Sequence, residues 1–167
     1  MFWTFDDNLK QRKIELISEG YDAYCLFTRH GLEKTIATEL NNDYDYLLAT
    51  PLCKMAHRSK EGKKYDVEEI MLKSYIFLYV KKDYSLAKVK SKYHYFKILS
   101  KENDSGKLYG SDLDYANYVL DIEGFISVSR AIKDNGQVRI VSGPLKDFEG
   151  RIVEYSKKNR NCCIEIE

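Results

Sequence analysis

The six residues Tyr75-Ile76-Phe77-Leu78-Tyr79-Val80 constrain this chain more than any others. With Lys73 and Ser74 before them they make an almost continuous run of β-formers, and such a run reads as a strand. It lacks the strict polar alternation of a half-solvated strand, so it belongs in the middle of its sheet. The chain must therefore supply further strands beside it.

Candidates lie on both sides. Ala23-Tyr24-Cys25-Leu26-Phe27-Thr28 is an apolar, aromatic strand that runs through Arg29-His30-Gly31 into a helix. In that helix Leu32, Ile36 and Leu40 recur every four residues and Ala37 widens the stripe, which gives one face to pack on a sheet. Asn41-Asn42-Asp43 ends it, and Tyr46-Leu47-Leu48-Ala49-Thr50 is a second strand closed by Pro51. Lys54 to Lys64 reads as a charged hairpin with Gly62 near its tip. After the central strand, Leu86 and Val89 mark a short helix reaching toward Tyr93, and Tyr95 to Leu99 an edge strand. Ser111-Asp112-Leu113-Asp114 has the form of a capping box with Asp in place of Glu, opening a helix through Ala116, Val119 and Leu120. The order strand–helix–strand–strand–helix–strand is that of a split βαβ sandwich, an antiparallel sheet with helices on one face.

Residues 1–20 form an extension. Asp6 or Asp7 caps a helix in which Leu9, Lys13, Leu16 and Ile17 share a face, and Gly20 ends it. Phe2, Trp3 and Phe5 serve either to dock this helix on the body or to hold a partner. At the other end, Val138, Ile140 and Ser142 alternate with Arg139 and Val141, Gly143-Pro144 turns the chain, and Gly150 precedes a further strand from Arg151 to Tyr155. The fold class expected is α+β: an extension at 1–20, an α+β domain at 21–121, a polar linker at 122–136 and a small β-barrel at 137–167.

Charge sharpens the functional question. The chain of 167 residues carries a net charge of +1, yet residues 51–100 hold twelve Lys and Arg against five Asp and Glu. A local basic patch attracts polyanions whatever the overall sum. On charge alone, solvated lysines on a small soluble protein are the favoured reading. Four cysteines lack metal-ligand spacing and read as reduced thiols. No apolar run reaches a membrane span, and no signal peptide is recognisable, so a cytoplasmic protein is expected.

The stretch Val138-Arg139-Ile140-Val141-Ser142-Gly143-Pro144, followed by Phe148-Glu149-Gly150, resembles the KOW motif of the NusG family of transcription elongation factors. Residues 22–121 resemble the same family's N-terminal (NGN) domain independently. Tyr24 to Phe27, Arg29, Gly31 and Glu33 match its opening strand and helix start, Pro51 the proline after its second strand, and Met71 to Phe77 its central strand. Leu72 and Lys73 stand where the family has phenylalanine and proline. The sequence Ser-Gly-Pro-Leu leans toward specialised antiterminators of the LoaP type. The resemblance thus implies an NGN-type split βαβ domain followed by a KOW-type barrel, here without its last strand.

It also implies partners and sites. The family binds the clamp helices of RNA polymerase through a hydrophobic face of the first domain, which carried over is Phe27, Leu72, Tyr75 and Phe77. Arg29 matches a basic position that contacts non-template DNA in specialised relatives. Lys54, Arg58, Lys60, Lys63 and Lys64 on the hairpin, and Lys88, Lys90 and Lys92 near the next helix, would face that DNA or nascent RNA. Lys146, Arg151, Lys157, Lys158 and Arg160 would do so in the second domain. Ribosome coupling is not carried over, because the closing strand that supplies it has no counterpart before Glu167. No cofactor and no catalysis are expected, since His30, His57 and His94 lie on unrelated elements and no phosphate loop is present. The activity implied is suppression of pausing or termination; the alternative is a KOW-type RNA-binding protein of the ribosome or its assembly.

Overall fold

The computed structural model describes residues 2–92, 95–100, 105–146, 151–156, 158 and 161–164. They fall into two units, one up to Phe125 and one from Ile126 onward. The larger unit is built on a four-stranded antiparallel sheet. Its strands are Tyr21–Thr28 (β1), Leu47–Thr50 (β2), Tyr75–Lys81 (β5) and Phe96–Ile98 (β6), in the order β2-β5-β1-β6. The run Tyr75 to Val80 is central, as its composition requires, and Phe96–Ile98 is an edge strand. Helix Glu33–Asp43 (α2) connects β1 to β2 and helix Ala87–Lys92 (α3) connects β5 to β6, so each crossover skips one strand. That is the split βαβ arrangement the element order predicts.

The antiparallel register sorts side chains onto two faces. Ile76, Leu78 and Val80 point to the same side as Tyr24, Leu26, Leu47 and Ala49, where Ile36, Ala37 and Leu40 of α2 and Val89 of α3 close over them. The opposite face is also covered, by helix Gly110–Asp121 (α4). The Tyr79 hydroxyl donates to the Ala116 carbonyl at 2.5 Å, and Phe77 meets Tyr115 with ring centroids 5.8 Å apart. The expectation of helices on one face is thereby corrected. A strand as apolar as β5 needs cover on both sides, and Ala116, Val119 and Leu120 of α4 are the residues left to supply part of it.

Helix Asp7–Glu19 (α1) belongs to this body. Asp6 caps it by accepting from Leu9 N–H at 2.8 Å, and Gly20 ends it at φ 85°. Its buried side chains are Arg12 and Leu16, whereas Ile17 is exposed. Arg12 does what the apolar pattern does not foretell: its guanidinium donates to the carbonyls of Asn41, Tyr44 and Leu47 at 2.8–3.0 Å. Asn41 in turn brackets Ala49, donating to its carbonyl and accepting from its N–H. Both side chains satisfy the free edge of β2, which would otherwise present unpaired backbone. Phe5 is buried, and Trp3 Nε1–H donates to Thr50 Oγ1 at 2.9 Å, so these aromatics dock the extension. Gly124 is forced by the same contact region: at φ 70°, a Cβ there would lie 2.0 Å from Thr50 Oγ1.

Strands Cys53–Lys60 (β3) and Lys63–Ile70 (β4) form the expected hairpin. Glu61 and Gly62 both take positive φ at its turn, the geometry that suits the twist of a two-residue hairpin loop. Phe125–Ile126 (β7) adds to β3 at the unit boundary. The capping box at Ser111 does not form. Helix α4 starts two residues earlier, with Tyr109 at the cap and no side-chain cap bond, so Ser111 lies inside the first turn.

In the smaller unit the expected linker contains a strand. Arg130–Asp134 (β8) pairs with Gln137–Ser142 (β9) around Asn135-Gly136, both at positive φ. All five residues of β8 are exposed, so no buried alternation marks it in the sequence. Ile152–Ser156 (β10) pairs with Asn161–Ile164 (β11) in a second two-stranded sheet. Among the described residues these hairpins do not close into a barrel, which corrects the expected barrel.

Candidate functional site

The α4-facing side of the central sheet changes character along its length. At one end Tyr79 and Phe77 lie beneath α4, with Tyr21 edge-on to Tyr79 and its hydroxyl donating to Asn117 Oδ1 at 2.8 Å. Burial raises the hydroxyl of Tyr79 well above its ordinary value. Toward the N-terminal end of the helix, an aromatic end of the sheet is left partly exposed. There Phe27 of β1 sits directly opposite Tyr75 of β5, ring centroids 5.6 Å apart and edge to face. Phe27 is 44% exposed although it stands in a strand of otherwise largely buried residues. A groove of about 620 Å³ begins beside this pair, lined by Leu72, Tyr75, Phe77, Leu99, Tyr109 and Tyr115 among others.

Three of the four expected docking residues therefore line one groove, and the fourth, Phe27, stacks on its rim. Their exposure differs. Leu72 and Tyr75 are half-buried, while Phe77 is only 5% exposed and forms the inner wall. Tyr109 and Leu99, both exposed, complete the far rim. Sequence pattern does not point to either, because each lies in a short irregular segment.

The rim is positioned by one carboxylate. Glu33, at the start of α2, is 1% exposed and accepts from the N–H groups of Gly31 and Ser74 at 2.7 Å, with His30 Nδ1 at 3.1 Å. Burial by itself would raise its pKa, but these bonds outweigh it and hold the carboxyl below 4.5. Ser74 stands at φ 72°, a left-handed conformation that a serine adopts at a cost. The bond to Glu33 and the Thr28 N–H bond to the Ser74 carbonyl hold it there. Glu33 thus ties the loop after Phe27 to the turn between Leu72 and Tyr75. Cys25 lies within the groove, and burial pushes its thiol up to about 11, so it is a neutral apolar neighbour at pH 7.

The sequence of this chain matches no protein-family model and no curated protein.

The expected basic residues lie on several separate elements. On the hairpin, acids of β4 answer the bases of β3: Glu69 pairs with Lys54 at 3.8 Å and with Arg58, and Asp66 pairs with His57. Lys60, Lys63 and Lys64 at the tip are exposed and make no ion pair among the described residues. Arg29 is exposed in the loop after β1. Lys88, Lys90 and Lys92 belong to α3, whose Val89 packs into the opposite, α2-facing core. Lys146, Arg151 and Lys158 are exposed in the smaller unit; Lys157 and Arg160 lie outside the described residues. Among the described residues, no helix is long and apolar enough to cross a membrane.

Proposed function

We propose that this chain is a non-catalytic transcription elongation and antitermination factor of the NusG type, acting in the cytoplasm. In this reading the larger unit is an NGN-type domain and the smaller one a KOW-type domain. The observation that supports it most is the open aromatic end of an otherwise sealed sheet, where Phe27 and Tyr75 border the 620 Å³ groove. Apolar side chains left exposed together at a concave site are what a protein partner buries. An amphipathic helix fits such a groove, and the clamp helices of RNA polymerase are the partner assigned to it.

The mechanism is one of differential binding. Docking of the larger unit suppresses pausing only if it binds the closed clamp more tightly than the open one. Exposed lysines then add a sequence-tolerant attraction to the non-template DNA strand or nascent RNA beside the polymerase.

Two measurements test this. Purified polymerase should retain the wild-type chain, and Tyr75→Ala should weaken retention without lowering the thermal midpoint appreciably. In a single-round assay through a terminator, the wild-type chain should raise read-through. Retention undiminished by Tyr75→Ala rejects the groove; unchanged read-through rejects the activity and favours the KOW-type RNA-binding alternative.

A further inference from the structure

The β3–β4 hairpin has two halves with different surroundings. Its base, from Cys53 to Ala56 and from Val67 to Ile70, is buried or half-buried, whereas every residue from His57 to Asp66 is exposed. Four residues on each strand therefore stand clear of the body, a ribbon of about 13 Å at the usual rise per residue. Strand pairing sorts its side chains. Arg58 lies opposite Tyr65 and Lys60 opposite Lys63, which places these four on one face; His57, Ser59, Lys64 and Asp66 take the other.

The first face has an uncommon make-up. Tyr65 is 46% exposed, and it is bordered by cations on its face of the ribbon. Lys60 and Lys63 face each other directly, an arrangement that costs stability in a free hairpin and is relieved by an anion. We propose that this ribbon is a single-strand nucleic-acid arm, in which Tyr65 stacks an unpaired base while Lys60 and Lys63 take the flanking phosphates. The proposal deepens the nucleic-acid part of the function proposed above by naming the strand state and the residue that recognises it.

Physical chemistry favours a single strand over a duplex. Every unpaired base offers a π face to an exposed aromatic ring, and basic side chains beside it track the backbone. A β-ribbon also fits the B-DNA major groove, where Lys60 or Lys63 could reach a guanine edge, but the bases there are stacked and leave no open face for the Tyr65 ring. The A-form RNA major groove is too narrow to enter.

Fluorescence anisotropy of the full chain with a labelled twelve-residue oligouridylate tests this, with a duplex of equal length and poly-glutamate as competitors. Tyr65→Ala should weaken binding by roughly 5- to 150-fold, and Tyr65→Phe should keep it within about twofold. Lys60→Gln combined with Lys63→Gln should lower the logarithmic salt slope by about 1.4. Unchanged affinity in Tyr65→Ala overturns the proposal, as does tighter binding of the duplex, competition by poly-glutamate at equal charge, or no binding by the wild-type chain. Circular dichroism confirms folding of each variant. Polymerase retention is measured in parallel: Tyr65→Ala should leave it intact, and Tyr75→Ala should leave oligonucleotide binding intact. Failure of the arm and failure of the polymerase reading therefore give different results.

Discussion

The two faces of the central sheet carry the same strands but different chemistry. Toward α2 and α3 the side chains are mainly aliphatic: Leu26, Leu47, Ile76, Leu78 and Val80 are all at 1% exposure or less, with Tyr24 beside them at 7%. Toward α4 they are Tyr21, Phe77 and Tyr79, then Phe27 and Tyr75 near the groove that the helix's N-terminal end helps to line. Aliphatic side chains interdigitate without polar ends, so the first face can be sealed completely. Tyrosines need a partner for their hydroxyls and leave a less regular surface, which suits a boundary between core and docking site. The first face is where the fold gets its stability; the second is where it has surface to spare.

That contrast can be broken, the largest effect coming from the sealed face. Leu78→Ala should destabilise the chain by roughly 2–5 kcal/mol, seen as a lower denaturant midpoint. Arg12→Met should come next. It leaves the carbonyls of Asn41, Tyr44 and Leu47 without their donor, at a cost of about 2–3 kcal/mol in the same measurement. On the open face the effect should move from stability to binding: Tyr75→Ala should cost about 2 kcal/mol of polymerase affinity by titration. Its thermal unfolding should change by no more than about 1 kcal/mol.

Glu33 joins the two faces and gives the comparison a pH dependence. Its folded pKa is depressed, so its contribution is present above the unfolded value near 4.5 and is lost as pH falls through the folded one. The thermal midpoint of the wild-type chain should drop on acidification from about pH 5 to about pH 3, and Glu33→Gln should flatten part of that drop. The smallest effect is expected on the exposed hairpin, where Arg58→Ala should change stability by less than about 1 kcal/mol, since it removes only a surface pair with Glu69.

Much of the larger unit was legible in advance. The strand Tyr75–Lys81, the four-residue period of α2 and the charged hairpin each announce themselves through local pattern. The four residues expected to dock a partner lie near one groove, although Phe77 is its buried wall and not part of its surface. What escaped notice has no local signature. Strand β8 is exposed along its whole length, and it exists only because β9 pairs with it. Tyr109 and Leu99 reach the groove through irregular segments. Arg12 breaks an apolar stripe, yet it is buried because three carbonyls converge on it from residues about thirty positions away.

The sequence by itself determined most strands and helices of the larger unit and that β5 is central, because periodicity and β-propensity act within a few residues. Only the tertiary structure decided which face of that strand stays open. The turn held by Glu33 at Ser74 and the register between Phe27 and Tyr75 set that together, and each is a contact between residues distant along the chain. The same holds for the hairpin. Its charges are plain in the sequence, but strand pairing alone puts Tyr65 among them on one face.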